Sequence, residues 1–185
     1  MQFPSYIPFV ESQGIERELV FVGLAAMKDP LRPEAKEAVE RCRSAGIKTV
    51  MITGDHKETA LAIGREAGFA SDPTQALSGL ELNGLTDAQL SARVRDVSVY
   101  ARVSAEHKLR IVKAWRAQGA VVAMTGDGVN DAPALKSADI GIAMGSGSEV
   151  AMEASQLVLL DNNFGSILIA IINGRLVFDN LKKVV

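Results

Sequence analysis

Cysteine is almost missing from this chain of 185 residues; Cys42 is the only one. A lone thiol closes no internal disulfide, so the core must hold the fold. Cys42 falls on the apolar side of a helical pattern, where a small core residue in a reducing compartment explains it better than a reactive thiol. Charge of one sign is lacking as well. Lys and Arg number 20 and Asp and Glu 22, for a net charge of −2, with no single-sign run. A chain without a basic face is not built to hold nucleic acid. Long apolar runs are also scarce. The nearest approach is 167–172, followed at once by Asn173, Gly174 and Arg175, well short of the roughly 20 residues that cross a bilayer. The opening "MQFPSYIPFVESQG" has neither a basic stretch nor a long apolar run, so it does not read as a secretory signal. These features predict a chain that does not span a membrane. What remains is ordinary globular material, 48% hydrophobic and 23% charged, long enough for one domain with a real core.

The pattern along the chain alternates strand and helix. Short apolar runs at 18–24, 47–52, 98–102, 120–124, 139–144 and 157–160 read as strands. Helical periodicity or cap signals mark 32–46, 56–68, 106–119 and 166–183. Pro33 suits a first helical turn, and Gly46 and Gly68 suit positions just past helix ends. Strands of this length between helices predict βαβ units, an α/β fold with a parallel sheet and helices on both faces. The segment 71–96 stands apart as a polar, turn-rich excursion, with one helix signalled by Thr86 and Gln89 at capping-box spacing. The segment 1–17, interrupted by Pro4 and Pro8, reads as separate from a domain over 18–185.

Parallel sheets of this kind bind ligands at the carboxyl ends of their strands, and three such ends carry polar clusters. Thr53-Gly54-Asp55 follows the strand at 47–52 and precedes a helix. A hydroxyl and a Gly amide at a helix start can cradle phosphate, although a plain turn with an N-cap would use the same residues. Lys108 lies near the start of the helix at 106–119, and Arg102 ends the strand before it. Either can be a solvated cation or a point charge held over phosphate. The third cluster is "MTGDGVNDAPALKSADIGIAMG", residues 123–144. Asp127 follows its strand directly and Asp131 comes one helical turn later, with Gly128 and Asn130 between them. Mg²⁺ binds through one or two carboxylates and keeps positions for phosphate oxygens and water, and this loop fits that demand. A capped turn would explain Asn130 or Asp131, but not the whole run. His56 and His107 stand beside these clusters without obvious partners and read as surface residues. One hydroxyl, one basic and one acidic cluster at one sheet edge predict Mg²⁺-dependent phosphoryl transfer.

With those residues in hand the chain resembles the P-type cation-transporting ATPases. "DPLR" (29–32), "TGD" (53–55), "ARVSAEHKLRIV" (101–112) and "MTGDGVNDAPALKSADIGIAMG" occur in the family's order and spacing, and "VAMEASQLVLLDNNF" (150–164) and "GRLVFDNLKK" (174–183) extend the match. The resemblance implies a haloacid-dehalogenase-like Rossmannoid sheet in a partial phosphorylation domain, with ATP and Mg²⁺ as cofactors. Asp127 would be the Mg²⁺ ligand, helped by Asn130 and Asp131. Lys108 would hold the transferred phosphoryl group, and Thr53 and Gly54 would bind its oxygens. Asp55 would contact nucleotide or a hinge, and Asp29 and Arg32 would belong to the hinge between phosphorylation and nucleotide domains. The last helix would lead into a transmembrane helix, which implies the cytoplasmic domain of an integral membrane protein. Its partners would be the rest of the same polypeptide, through which ATP and the transported cation are bound. The "GRLVFDNLKK" tail looks like the branch that moves Ca²⁺ or Na⁺ and K⁺. Two departures, Ala105 where Pro is usual and Asn162 where Asp is usual, touch none of this chemistry.

The family's nucleophile is the first Asp of D-K-T-G-T, and that sequence does not occur here. In the family's fold its strand lies in mid-sheet, so without it two strands would expose unpaired backbone. The expectation is therefore a catalytic-head fragment of a cation pump. Such a fragment would bind Mg²⁺ weakly and would not phosphorylate itself. A soluble phosphatase of the same superfamily, or a non-catalytic module that has lost its nucleophile, are the alternatives.

Overall fold

The computed structural model describes residues 20–23 and 31–184. The chain divides into two units, Met1–Pro30 and Leu31–Val185. Only 20–23 of the first are described, and they carry no strand. The expected strand at 18–24 otherwise lies outside the described residues, as do the segment 1–17 and Asp29.

The second unit opens with α1 (Pro33–Ser44), β1 (Met51–Ile52) and α2 (Lys57–Ala67). It continues through β2 (Ala76–Ser78), α3 (Gly79–Asn83), α4 (Asp87–Arg93), β3 (Val99–Ala101) and α5 (Ala105–Ala117). The last third comprises β4 (Ala123–Gly126), α6 (Ala132–Ser137), β5 (Ile140–Met144), α7 (Glu149–Glu153), β6 (Leu157–Leu159) and α8 (Phe164–Val184). Local chemistry explains the helix ends. α1 has Pro33 and Glu34 in its first turn and Arg41 and Arg43 in its last, all favourable to the helix dipole. Among the described residues three α-helix starts carry reciprocal capping boxes: Ser78 with Glu81, Thr86 with Gln89, and Ser104 with His107. The last of these secures the start of α5 with Ala105 in the first helical position.

Among the described residues every strand pairing is parallel, as the alternation predicts. The strands form two sheets of three rather than one, ordered β1-β3-β2 and β4-β5-β6. β1 and β4 are thus edge strands, each paired on one side among the described residues. Both central strands are buried: Val99, Tyr100 and Ala101 in β3, and Ile142, Ala143 and Met144 in β5. One cluster gathers Leu77, Leu82, Leu90, Val94, Tyr100 and Ile111. A second gathers Val112, Met124, Leu135 and Ala143. Successive residues of α5, Ile111 and Val112, face different clusters, and Ile52 packs against both. These contacts join the two sheets where no strand pairing does. Each aliphatic side chain removed from water here contributes about 1.5–3 kcal/mol before entropy is counted. The Tyr100 hydroxyl and the Trp115 indole N–H are buried in this region without a hydrogen-bond partner, and burial raises the Tyr100 pKa.

Several expectations are corrected. The excursion at 71–96 is structured throughout its middle, because β2 pairs with β3 from Ala76↔Val99 to Ser78↔Ala101. Its polar composition reflects the exposed sides of α3 and α4, which anchor through Leu82 and Leu90. The strand expected at 120–124 runs instead over Ala123–Gly126, reaching the turn that carries Asp127. Residues 47–50 precede β1 without strand pairing. The absence of a long apolar segment is also overturned. α8 continues unbroken through Asn173, Gly174 and Arg175. Its stretch Phe164–Lys183 is long and apolar enough to cross a membrane by length and composition, with mean hydropathy 1.4. Isolated polar residues neither break this helix nor outweigh their apolar neighbours. Its first turns pack inward through Ile167 and Leu168, and farther along Arg175 donates to the Ala45 carbonyl, just past α1, at 3.1 Å.

Candidate functional site

The site begins where β4 ends. Thr125 and Gly126 finish the strand, and the chain turns through Asp127 and Gly128 into a 3₁₀ turn, Val129–Asp131, continuous with α6. Asp131 folds back beneath the loop it terminates. Its Oδ2 accepts the backbone N–H of Gly128 at 3.1 Å and of Asp127 at 3.3 Å. Its Oδ1 accepts from Lys108 Nζ at 2.5 Å. The approach is close enough to require glycine at 126, where a Cβ would stand 2.5 Å from Asp131 Cβ. Asp131 is 5% exposed, and this paired, hydrogen-bonded state is what a buried carboxylate needs. Asp127, by contrast, is exposed, its carboxylate clear of this network.

The sequence placed both aspartates on the Mg²⁺ side. The geometry divides their work: Asp131 fixes the loop amides and the ammonium, and Asp127 presents its charge outward. Among the described residues no cluster of three or more His, Cys, Asp or Glu side chains could hold a metal alone. One free carboxylate is a donor set that suits Mg²⁺ only when phosphate oxygens and water complete it. The residues fit the ion in that partial sense. Asn130 lies exposed in the 3₁₀ turn between the two aspartates.

Lys108 is delivered by the first turns of α5, and the loop before that helix touches the end of β1: the Val103 N–H meets the Thr53 carbonyl at 3.4 Å. Thr53 is half-buried, and its Oγ1 donates to Asp55 Oδ2 at 2.9 Å while accepting the Asp55 N–H at 3.1 Å. Gly54, between them, is exposed with open space where a side chain would be. The Thr53 turn is thereby tied to the helix that carries Lys108. Arg102 takes a left-handed backbone, φ +52°. Its N–H donates to the Asp55 carbonyl at 3.0 Å and its guanidinium contacts the His56 ring. Arg32, at the start of α1, reaches the Asn162 carbonyl at 2.9 Å. The Lys108 ammonium and the Asp127 and Gly128 amides all meet Asp131, Thr53, Asp55 and Arg102 are linked to them through the loop before α5, and Arg32 stands at another loop.

His107 corrects the sequence reading. It is buried rather than on the surface. Nδ1 accepts the Ser104 N–H at 3.1 Å, and Nε2 lies 2.8 Å from Asn83 Oδ1. That arrangement selects the neutral Nε2–H tautomer and pins α3 to the start of α5, one residue from Lys108. The available signal was its place three residues after Ser104, where a capping box usually has Glu or Gln. Glu81 was also passed over. Lys57 Nζ lies 2.8 Å from it and the Ser78 N–H donates at 2.7 Å, which together hold its pKa down to about 2.

Comparison with known proteins bears on the fold and the family. The haloacid dehalogenase-like hydrolase family matches residues 5–139. Calcium-transporting ATPase 1 of Bacillus cereus is 51% identical over 94% of this chain and 20% of its own length. Calcium-transporting ATPase type 2C member 2 of Homo sapiens is 50% identical over 90% of this chain and 18% of its own. Among solved structures, a zinc-transporting PIB-type ATPase in the E2.Pi state superposes with a TM-score of 0.64 at 32% identity, over 84% of this chain and 21% of the other. The catalytic domain of the CPx-ATPase CopB-B gives 0.57 at 27% identity, over 76% and 45%. The chain thus spans about a fifth of the length of the curated relatives it matches. It belongs to the haloacid dehalogenase-like hydrolase family and is homologous to part of the P-type cation-transporting ATPases.

Proposed function

We propose that this chain supplies the Mg²⁺- and phosphate-binding half of an aspartyl-phosphate site in an ATP-driven cation pump, within the cytoplasmic part of an integral membrane protein. The observation that carries the reading is the pairing of a buried, Lys108-bound Asp131 with an exposed Asp127 one helical turn away. When bound, Mg²⁺ would neutralise charge on the transferred phosphoryl group. Asp127 would hold the ion from the protein side. Lys108, kept in place by Asp131, would set a positive charge beside the phosphoryl oxygens. The Thr53 hydroxyl and the Gly54 amide would donate to those oxygens, with Asp55 fixing the hydroxyl. Arg102 and Asn130 would complete the polar rim, and Asp29 and Arg32 would serve the hinge toward the nucleotide. ATP and the transported cation would be held by the remainder of the polypeptide.

The nucleophile does not come from this sequence, which lacks D-K-T-G-T. Two three-stranded sheets with β1 and β4 as edges support the view that a further strand belongs between them. Incubation of the chain with labelled ATP should therefore leave no acid-stable, hydroxylamine-sensitive phosphoprotein, whereas Mg²⁺ should shift the Asp127 and Gly128 amide resonances. A labelled phosphoprotein would refute the half-site reading. The family match to hydrolases favours one rival, a soluble phosphatase, which turnover of p-nitrophenyl phosphate would support.

A further inference from the structure

Asn162 lies in the turn between β6 and α8 with a left-handed backbone, φ +53°, a conformation that Asn tolerates better than most residues. The turn is bound on three sides. Its main-chain N–H donates to the Leu159 carbonyl at 3.1 Å, and the same carbonyl accepts the Gly145 N–H at 2.8 Å. Its own carbonyl accepts from Arg32 Nη1 at 2.9 Å. Its side-chain Oδ1 accepts twice from Ser146, from the N–H at 3.0 Å and from the hydroxyl at 3.1 Å.

Ser146 belongs to the loop between β5 and α7, and that loop holds Asp127. The Ser148 N–H donates to the Asp127 carbonyl at 2.7 Å. Gly147 lies so close that a Cβ there would stand 2.9 Å from the Asp127 carbonyl oxygen and 3.0 Å from its Cα. The four-residue loop is thus fastened by Asn162 on one side and grips the main chain of Asp127 on the other. Among the described residues the Asp127 carbonyl takes no other hydrogen bond, and its exposed carboxylate has no side-chain tie of its own to aim it.

We propose that Asn162 is a positioning residue for Asp127, acting through Ser146 and Ser148 on the backbone from which the carboxylate projects. The residue that departs from the pump family's usual Asp therefore does bear on the chemistry, one loop removed. The role needs two properties: an oxygen where Oδ1 stands, and tolerance of positive φ. Asp keeps the oxygen. Gly keeps the backbone freely but loses the oxygen, which separates the hydrogen bonds from strain.

The inference rests on Asp127 being the Mg²⁺ ligand, and the test separates the two. Amide exchange is measured residue by residue on the chain without Mg²⁺, and the Gly128 amide is then followed while Mg²⁺ is added. In Asn162→Gly, protection at Ser148 should fall about tenfold, the effect of losing one ordinary hydrogen bond, while Tyr100 in β3 stays protected. The Mg²⁺ midpoint should rise about three- to tenfold, and Asn162→Asp should restore both values. The proposal is overturned if Asn162→Gly frees the Ser146 amide but leaves Ser148 protection and the Mg²⁺ midpoint as in the parent. If the parent's Gly128 amide does not respond to Mg²⁺, the metal reading fails, and Ser148 exchange alone still decides whether Asn162 holds the Asp127 backbone.

Discussion

The ammonium of Lys108 lies 2.5 Å from Asp131 Oδ1, with 19% of the lysine side chain and 7% of the aspartate side chain exposed. A pair so enclosed is a weak stabiliser compared with an apolar replacement, but removing one partner leaves the other charge stranded. Lys108→Met should therefore cost on the order of 3 kcal/mol, read as a lower urea midpoint. The double variant Lys108→Met/Asp131→Asn should recover part of that loss, because Asn still accepts the loop amides without a charge. Equal stability of Lys108→Met and parent would mean that the pair is not formed in solution.

Asp127 and Asp131 should respond differently to the same chemical change. Asp127 is exposed and holds nothing through its carboxylate, so Asp127→Asn should leave stability within about 0.5 kcal/mol and abolish the Mg²⁺ response of the Gly128 amide. Asp131→Asn should lower the urea midpoint by stranding Lys108, and should disturb the loop with no metal present. Parallel thermal melts and Mg²⁺ titrations check both. Equal loss of stability in the two variants would contradict the division of roles.

The readability of the chain divides along the same line. The turns at Asp127 and Thr53 were legible because each follows an apolar run, where a parallel sheet collects its ligand-binding groups, and the place of Lys108 was legible because it falls in the first turn of the helix after β3. β2 was not legible, because Ala76-Leu77-Ser78 is a strand only through its pairing with Val99–Ala101. Asp131 announced its spacing but not its partner, since Lys108 arrives from a helix 23 residues earlier. Asn162 looked irrelevant because Ser146 lies 16 residues away in sequence, and only the fold makes them neighbours. The division into two sheets was not legible, because the alternation of strand and helix gives the order of the strands but not which of them pair.

Gly126 offers a sharper test of the site's packing. A Cβ there would meet Asp131 Cβ at 2.5 Å and Oδ2 at 2.9 Å, and β4 pairing with β5 at Gly126↔Ala143 leaves the backbone little room to yield. Gly126→Ala should cost about 1–3 kcal/mol, the usual range for overpacking, and should shift the Asp127 and Gly128 amides even without Mg²⁺. Unchanged spectra would show that the loop relaxes freely.

Glu81 predicts a pH dependence remote from the site. Lys57 and the Ser78 N–H favour its ionised form and hold its pKa at about 2 against an ordinary 4.5. A depressed carboxyl pKa adds stability that is complete above the unfolded value and is lost as pH falls through the folded one. The side chain is 46% exposed, so the effect should be about 0.2–1 kcal/mol. Stability measured by urea between pH 5 and about 2 should fall less steeply in Glu81→Gln than in the parent. Identical slopes would remove Glu81 from the account.

The open edge of β1 makes the last prediction. Met51 N–H donates to the Ser98 carbonyl and Thr53 N–H to the Tyr100 carbonyl, each at 2.9 Å. Successive amides of a strand face opposite ways, so the Ile52 N–H points away from β3, toward the side where β1 has no strand partner among the described residues. Its side chain already packs against the clusters of both sheets. In the chain alone the Ile52 amide should exchange at least about tenfold faster than that of Tyr100, which lies in the buried central strand. If a strand bearing the nucleophile fills the gap, extending the chain upstream through D-K-T-G-T should bring Ile52 protection to the level of β3 and join β1 to β4 in one sheet. Protection of Ile52 in the unextended chain, equal to that of Tyr100, would mean that the edge is already covered and that no further strand belongs there.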